Sequence, residues 1–128
     1  MMQTDATTES TTERGSMHQD AVILGTLEAE LRRQDGYARD GHTARTLVRA
    51  PDLRIVFVAM RRGSSLAPHR TDQTGSVQVV SGQLRVRFSD RVVELAAGQL
   101  LVIPAAAAHE LDAIADSACV ITLGWGNG

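Results

Sequence analysis

The chain has 128 residues and a formal net charge of −2, with a sequence pI of about 6.0. This near-neutral balance provides no general attraction to nucleic acid or to an anionic membrane surface, so we expect neither as a partner. All thirteen basic residues are Arg, which excludes Schiff-base chemistry and a lysine base. The length suits a single domain with one modest core.

Cys119 is the only cysteine, so an internal disulfide is excluded. It lies in an apolar run, which predicts a buried and unreactive thiol. No apolar stretch reaches the ~18 residues that a membrane span needs. The N-terminus is polar and lacks a hydrophobic signal core, so we expect a cytoplasmic protein.

The chain begins with a polar segment, residues 1–19, that is rich in Thr, Ser and acidic residues. Such a composition cannot bury enough apolar surface to offset its ordering entropy, so we expect a disordered tail. Residues 20–40 are predicted to form an N-terminal helix and a linker. The helix is expected to run from Asp20 to about Gln34, with Asp35-Gly36 ending it. Its apolar stripe would pack on the outside of the main sheet; the stripe comprises Ile23, Leu24, Leu27 and Leu31.

From Gly41 the hydrophobic period changes from helical to two, so residues 41–128 are predicted to form a β-barrel domain. About nine short strands at roughly ten-residue spacing are typical of a sandwich or barrel. The strand candidates are Thr43–Val48, Leu53–Met60, Ser64–Gln73, Ser76–Ser81, Leu84–Phe88, Val92–Leu95, Gln99–Ile103, His109–Ile114 and Ala118–Trp125.

Two glycine-bounded blocks each carry one histidine. The first contains Gly63, His69, Thr71 and Gly82, and the second contains Gly98, Pro104 and His109. In order and spacing these blocks resemble the two sequence motifs of the cupins, and the lead-in from Thr43 resembles small bacterial cupins without an assigned activity. The resemblance implies an all-β fold, the double-stranded β-helix or jelly roll, which would follow the predicted N-terminal helix. Gly82 and Gly98 are expected at strand corners, where a left-handed backbone favours glycine.

The resemblance also implies a metal site of three histidines and one glutamate, suited to Fe, Mn, Ni or Zn. His69 and His109 stand at the first and third histidine positions, but Thr71 stands at the second and Gly75 at the glutamate. Ala106 and Ala113 replace the second motif's later glycine and asparagine. Two neutral imidazoles hold a divalent ion weakly, so we expect no bound cofactor. The alternative is a divalent metal held by His69, His109 and the amide oxygen of Gln73, which would share one strand face with His69.

Three functions remain open from the sequence. The first is a metal-poor module that binds a small molecule in the barrel, for sensing or as an accessory to another protein. The second is a metal-dependent dioxygenase or isomerase that uses His69 and His109. The third is a structural dimer with a vestigial site. Catalytic residues stay unassigned, and the expected ligand cavity is lined by His69, Thr71, Gln73, Val77, Val79 and His109, with Phe57 or Val58 and Trp125 beside them.

A homodimer is also expected. Val56, Val58 and Val80 would form a sheet face too apolar for water, and pairing of two copies would cover it.

Overall fold

The computed structural model describes residues 20–69 and 72–124, with residues 67–69 described by their backbone alone. It confirms the all-β jelly roll with a short helical region at its N-terminal side. The tail 1–19, Thr71 and Trp125 lie outside the described residues. The elements in chain order are α1 (Leu24–Arg32), α2 (Asp35–Asp40), β1 (His42–Arg49), β2 (Leu53–Met60), β3 (Ser65–His69), β4 (Gly75–Ser81), β5 (Gln83–Phe88), β6 (Val92–Ala96), β7 (Leu100–Ile103), β8 (His109–Ala113) and β9 (Ser117–Gly124).

The strands form two antiparallel sheets. The larger sheet has the order β1-β2-β9-β4-β7 and the smaller has the order β3-β8-β5-β6. Alternate residues of both sheets point into the space between them, as period-two strands require. The buried residues of this interior cluster are Val58, Met60, Val77, Val79, Leu84, Val86, Leu95, Ile103, Leu111, Ala113 and Cys119.

The N-terminal helix packs on the outer face of the larger sheet, as predicted. Leu27 and Leu31 of α1 are buried in a second cluster with Phe57, Ala59 and Ala118. The predicted helix bounds are wrong: α1 begins at Leu24, and Asp35-Gly36 begin α2 instead of ending α1. The reason is the extended backbone at the residues that precede each helix, Ile23 and Gln34. No helix in the described part of the chain is long and apolar enough to cross a membrane.

The apolar face that suggested a homodimer is not exposed. Val58 belongs to the interior cluster and Val56 packs against it. Val80 packs against the helix cluster, together with Phe57. Since α1 already covers this side of the sheet, the reason given for pairing is wrong, and the homodimer itself stays a prediction. Of Phe57 and Val58, only Val58 faces the interior.

The predicted strand corners have the expected backbone. The φ angles of Gly82 and Gly98 are 82° and 90°. Gly63, which opens the first block, has φ of 87°. In the second block Ala106 also adopts a left-handed conformation, with φ of 68°, where the related motif has glycine. Ala106 therefore has the left-handed backbone that glycine favours, although the sequence has alanine at this motif position.

Candidate functional site

The two histidine blocks meet in the smaller sheet. In the antiparallel pair of β3 and β8, His69 lies directly opposite His109. On the other side of β8, Phe88 at the end of β5 lies opposite His109. The backbone thus places His69, His109 and Phe88 in one row across β3, β8 and β5. This row lies at the end of the smaller sheet where β8 begins and β5 ends. Opposed Cα atoms in such pairs are about 4.5–5.5 Å apart.

The His109 ring faces the interior of the barrel. It alternates along β8 with the outward residues Glu110 and Asp112 and shares the side of buried Leu111. Its ring centroid lies 6.1 Å from that of Phe88, with the rings tilted by 44°. The guanidinium of Arg91 lies 4.8 Å from the Phe88 ring centroid, a cation–π geometry.

A backbone carbonyl sets the tautomer of His109. The ring atom Nδ1 lies 3.0 Å from the carbonyl oxygen of Ala107, and a carbonyl can only accept, so Nδ1 carries the proton. In the neutral ring the lone pair is therefore on Nε2. The loop that supplies this carbonyl is fixed by the Ala107 N–H, which donates to the carbonyl of Pro104 at 3.2 Å.

A second row of residues faces this one from the larger sheet. Arg54 lies opposite Leu123, Leu123 lies opposite Gly75, and Gly75 lies opposite Ile103. Strand alternation puts this row on the interior side, with Val56, Ile121 and Val77 of the same strands. Short connections join His69 to Gly75 and Ile103 to His109, so both rows lie at the same end of the barrel. We call this end the barrel mouth.

The position that would supply an acidic metal ligand has no room for a side chain. A Cβ atom on Gly75 would lie 2.7 Å from the carbonyl oxygen of Thr122 and 2.8 Å from Cδ2 of Leu123. Within the described residues no group of three or more His, Cys, Asp or Glu is placed to hold a metal ion. The described donor set therefore does not fit the three-histidine, one-glutamate site that the sequence motifs imply.

The other predicted site residues are divided between loop and core. Since β3 ends at His69, strand alternation does not extend to Gln73, which lies partly buried in the connection to β4. Val77 and Val79 are on the interior side of β4 but within the packed core, with exposed fractions of 2% and 0%. The backbone of His69 and the side chains of Gln73 and His109 are thus the described parts of the predicted site that lie at the mouth.

Two other sets of ionisable groups, the Cys119 thiol and the ion-paired charges of β5 and β8, lie away from the barrel mouth. Burial raises the pKa of the Cys119 thiol to about 12, so this residue is not a thiolate at neutral pH. On the outer face of the smaller sheet, Arg87 forms ion pairs with Asp112 and Glu110. The hydrogen bond from Arg87 holds the pKa of Asp112 below its usual range. These charges face away from the mouth.

Two residues of the mouth were missed by sequence reasoning. Phe88 was predicted only as the last residue of a strand, and Arg54 was not singled out. A signal for Arg54 existed: it is the one charged residue in the otherwise apolar β2 sequence and shares the parity of Val56 and Val58. Its proximity to the mouth depends on the pairing of β2 with β9, which no local pattern reveals.

Comparisons with known proteins show what the chain resembles in sequence and in fold. No family model matches the chain. A gentisate 1,2-dioxygenase from a Streptomyces species is 32% identical over 94 residues, which cover 68% of this chain and 26% of that protein. The chain thus spans about a quarter of the length of this curated relative.

Solved structures share the fold. A cupin-2 domain protein from Shewanella frigidimarina matches with a TM-score of 0.65 and 18% identity, over 80% of this chain and 93% of that one. A salicylate 1,2-dioxygenase variant from Pseudoaminobacter salicylatoxidans matches with a TM-score of 0.72 and 20% identity, over 82% of this chain and 34% of that one.

Proposed function

Since the chain belongs to the cupin superfamily, we propose that it binds a small hydroxylated aromatic molecule at the barrel mouth, as a metal-poor binding module. The observation that carries this proposal is the pairing of His69 with His109 on neighbouring strands, with Phe88 next in the row. In a cupped β-barrel the mouth is where a small ligand finds an apolar wall and a few polar groups together.

The chemistry of the row suits an aromatic ring that carries a hydroxyl group. The Nε2 lone pair of His109 accepts a hydrogen bond from the hydroxyl, because Nδ1 is already committed to the Ala107 carbonyl. Phe88, whose ring centroid lies 6.1 Å from that of His109, offers an aromatic surface on which the ring of the ligand can pack. The names of the relatives support this ligand class, since gentisate and salicylate are both hydroxylated aromatic acids.

The metal-poor part of the proposal rests on Gly75. Without a carboxylate at this position, a divalent ion would meet only neutral donors, and two imidazoles with one amide oxygen are a weak set. The space that a carboxylate would need is taken by Leu123 and the Thr122 backbone.

A metal-dependent dioxygenase is the second candidate, and the sequence match to a gentisate 1,2-dioxygenase favours it. In that case His69, His109 and Gln73 would hold an Fe, Mn or Ni ion, which would supply activation of dioxygen toward the bound ring; Zn has no redox chemistry and does not suit a dioxygenase. Phe88 would then position the ring, because the Nε2 lone pair of His109 would be occupied by the ion.

Thermal-shift and calorimetric titrations separate the two candidates. Chelator-treated protein, purified without a histidine tag, is titrated with phenol, hydroquinone, gentisate and salicylate, and then again after loading with Fe²⁺, Mn²⁺, Ni²⁺ or Zn²⁺. The binding module predicts a rise in melting temperature with a phenolic compound in the metal-free protein. The dioxygenase predicts near-stoichiometric metal and a rise only after loading.

Two histidine variants provide the test and its control. His109→Ala is expected to abolish the ligand-induced rise in melting temperature. His42→Ala is the matched control, because His42 begins β1 opposite Met60, at the other end of the barrel, and should bind like the wild type. If no phenolic compound binds the metal-free protein, or if His109→Ala binds as well as the wild type, the binding-module proposal is wrong.

A further inference from the structure

Arg54 is a charged residue on the interior side of a barrel strand. It alternates with the outward-facing Ile55 and Phe57 and shares the side of Val56 and Val58, which pack in the interior cluster. Its side chain is partly buried, and its Nε atom is buried. Arginine is mostly exposed in folded proteins, so a partly buried arginine on the interior side of a barrel strand is unusual.

The register places Arg54 at the barrel mouth. It lies opposite Leu123 of β9, which in turn lies opposite Gly75 of β4, the position of the missing acidic ligand. On its other side Arg54 lies opposite Arg49 of β1, so two cationic residues end this row. The larger-sheet side of the mouth thus has arginines in the row of Gly75, the position where a metal-binding cupin motif would put a carboxylate.

We propose that Arg54 binds the carboxylate of the ligand held at the mouth, so that the chain selects aromatic acids over neutral phenols. This inference rests on the proposed function and names the ligand class more narrowly. A guanidinium stays charged at any physiological pH, and its planar fork of N–H donors matches the two oxygens of a carboxylate. In the partly buried setting of Arg54 the pair is weakened less by solvent than on an open surface.

The surroundings favour a carboxylate on an apolar body over an inorganic anion. The row that contains Arg54 continues with Leu123 and Ile103, and the opposite row provides Phe88. An aromatic acid can place its ring among these side chains while its carboxylate meets Arg54 and its hydroxyl meets His109. Inorganic phosphate would gain the charge contact alone.

Paired probes test the role of the carboxylate. Gentisate and hydroquinone share the two ring hydroxyls and differ in the carboxylate, as salicylate and phenol do with one hydroxyl. Calorimetry on the full chain is expected to give gentisate about a 10- to 100-fold lower dissociation constant than hydroquinone, the range for one charge-assisted pair. In Arg54→Gln the two constants should come within about twofold of each other, with hydroquinone binding unchanged.

Two further variants make the comparison specific. Arg54→Lys keeps the charge and loses the fork, and it should retain part of the preference for gentisate. Arg62→Gln removes an exposed arginine just after the opposite end of β2 and should bind both probes like the wild type. Circular dichroism and the melting temperature of each variant show that it is folded before it is titrated.

The outcomes separate this inference from the proposed function. Hydroquinone binding that His109→Ala removes, with no extra affinity for gentisate in the wild type, overturns the role of Arg54 and leaves the binding site standing. A preference for gentisate that survives in Arg54→Gln also overturns it. Competition by inorganic phosphate as strong as that by salicylate would overturn the assignment of an aromatic carboxylate. If none of the four probes binds, both proposals fail.

Discussion

Ala106 carries a local cost in the loop that positions the candidate site. Its φ of 68° is in the left-handed region, which costs a residue with a Cβ atom roughly 1 kcal/mol. Glycine has no such penalty, although it gains entropy in the unfolded chain. We therefore expect Ala106→Gly to raise the free energy of unfolding by about 0.5 kcal/mol, measured by urea denaturation.

A neighbouring alanine provides the control for this change. Among the described residues other than glycine, only Ala106 has a positive φ, so Ala108 in the same loop lacks the strain. Ala108→Gly should lower the free energy of unfolding, since it only adds freedom to the unfolded chain. Equal effects of the two substitutions would show that the strain at Ala106 is negligible.

Gly82 and Gly98 share a left-handed backbone but differ in their surroundings. A Cβ atom on Gly82 would clash with the Asp116 carbonyl oxygen and the Ser117 hydroxyl, whereas a Cβ on Gly98 would meet nothing within 4 Å. Gly82→Ala should therefore lower the free energy of unfolding by roughly 3 kcal/mol or more, and Gly98→Ala by about 1 kcal/mol. Urea denaturation of both variants measures the difference, and equal losses would contradict the clash.

At the scale of elements, the N-terminal helix is held to the barrel by packing and by a polar cluster. Arg32 forms an ion pair with Glu28 at 2.6 Å and donates to the Ser117 carbonyl at 3.2 Å. Glu28 also accepts a hydrogen bond from the Ser81 hydroxyl at 2.8 Å. These contacts join α1 to β4 and β9, so the helix is part of the folded unit.

The buried apolar stripe of α1 predicts how much this helix contributes to the free energy of unfolding. Leu31 has an exposed fraction of 0%, so Leu31→Ala should lower the free energy of unfolding by about 3 kcal/mol through lost burial and a residual cavity. Ile23, just before α1, is 63% exposed, and Ile23→Ala should change stability by less than about 0.5 kcal/mol. A single urea transition that shifts only for Leu31→Ala supports this; a small effect of Leu31→Ala would show that the helix docks weakly.

The elements differ in how well the sequence predicted them. Strands such as β2 and β5 were predicted nearly to the residue. The β2 sequence is a short, almost continuous apolar run and β5 has apolar residues at period two, and both are bounded by Gly, Pro or Asp. The third strand was predicted to extend to Gln73, but β3 ends at His69. The prediction failed because the polar residues near Gln73 have no apolar period that would mark the end of the strand. Helix bounds failed because neither helix has a side-chain cap to signal its start.

For the whole molecule, the sequence motifs predicted the fold and a site shared by His69 and His109, and the backbone of His69 lies opposite that of His109 in the register of β3 and β8. They did not predict which residues face them. The opposing row depends on β9 inserting between β2 and β4, a pairing across the length of the chain. Local patterns contain no information on such pairing, so Arg54 and Leu123 could be found only in the folded structure.

The close approach of β9 to Gly75 predicts that restoring the motif's glutamate at this position will not restore a metal site. In Gly75→Glu the new Cβ would meet the Thr122 carbonyl at 2.7 Å and the Leu123 side chain at 2.8 Å. We expect this variant to lose about 2 kcal/mol of stability and to bind no more Fe²⁺ or Mn²⁺ than the wild type, measured by urea denaturation and elemental analysis. Adding Leu123→Ala relieves only the side-chain contact, so the double variant should still gain no metal affinity, because the carbonyl remains in place. A stoichiometric metal ion in Gly75→Glu would show that the larger sheet yields at the mouth and that a single carboxylate is all that separates this chain from a metal-binding cupin.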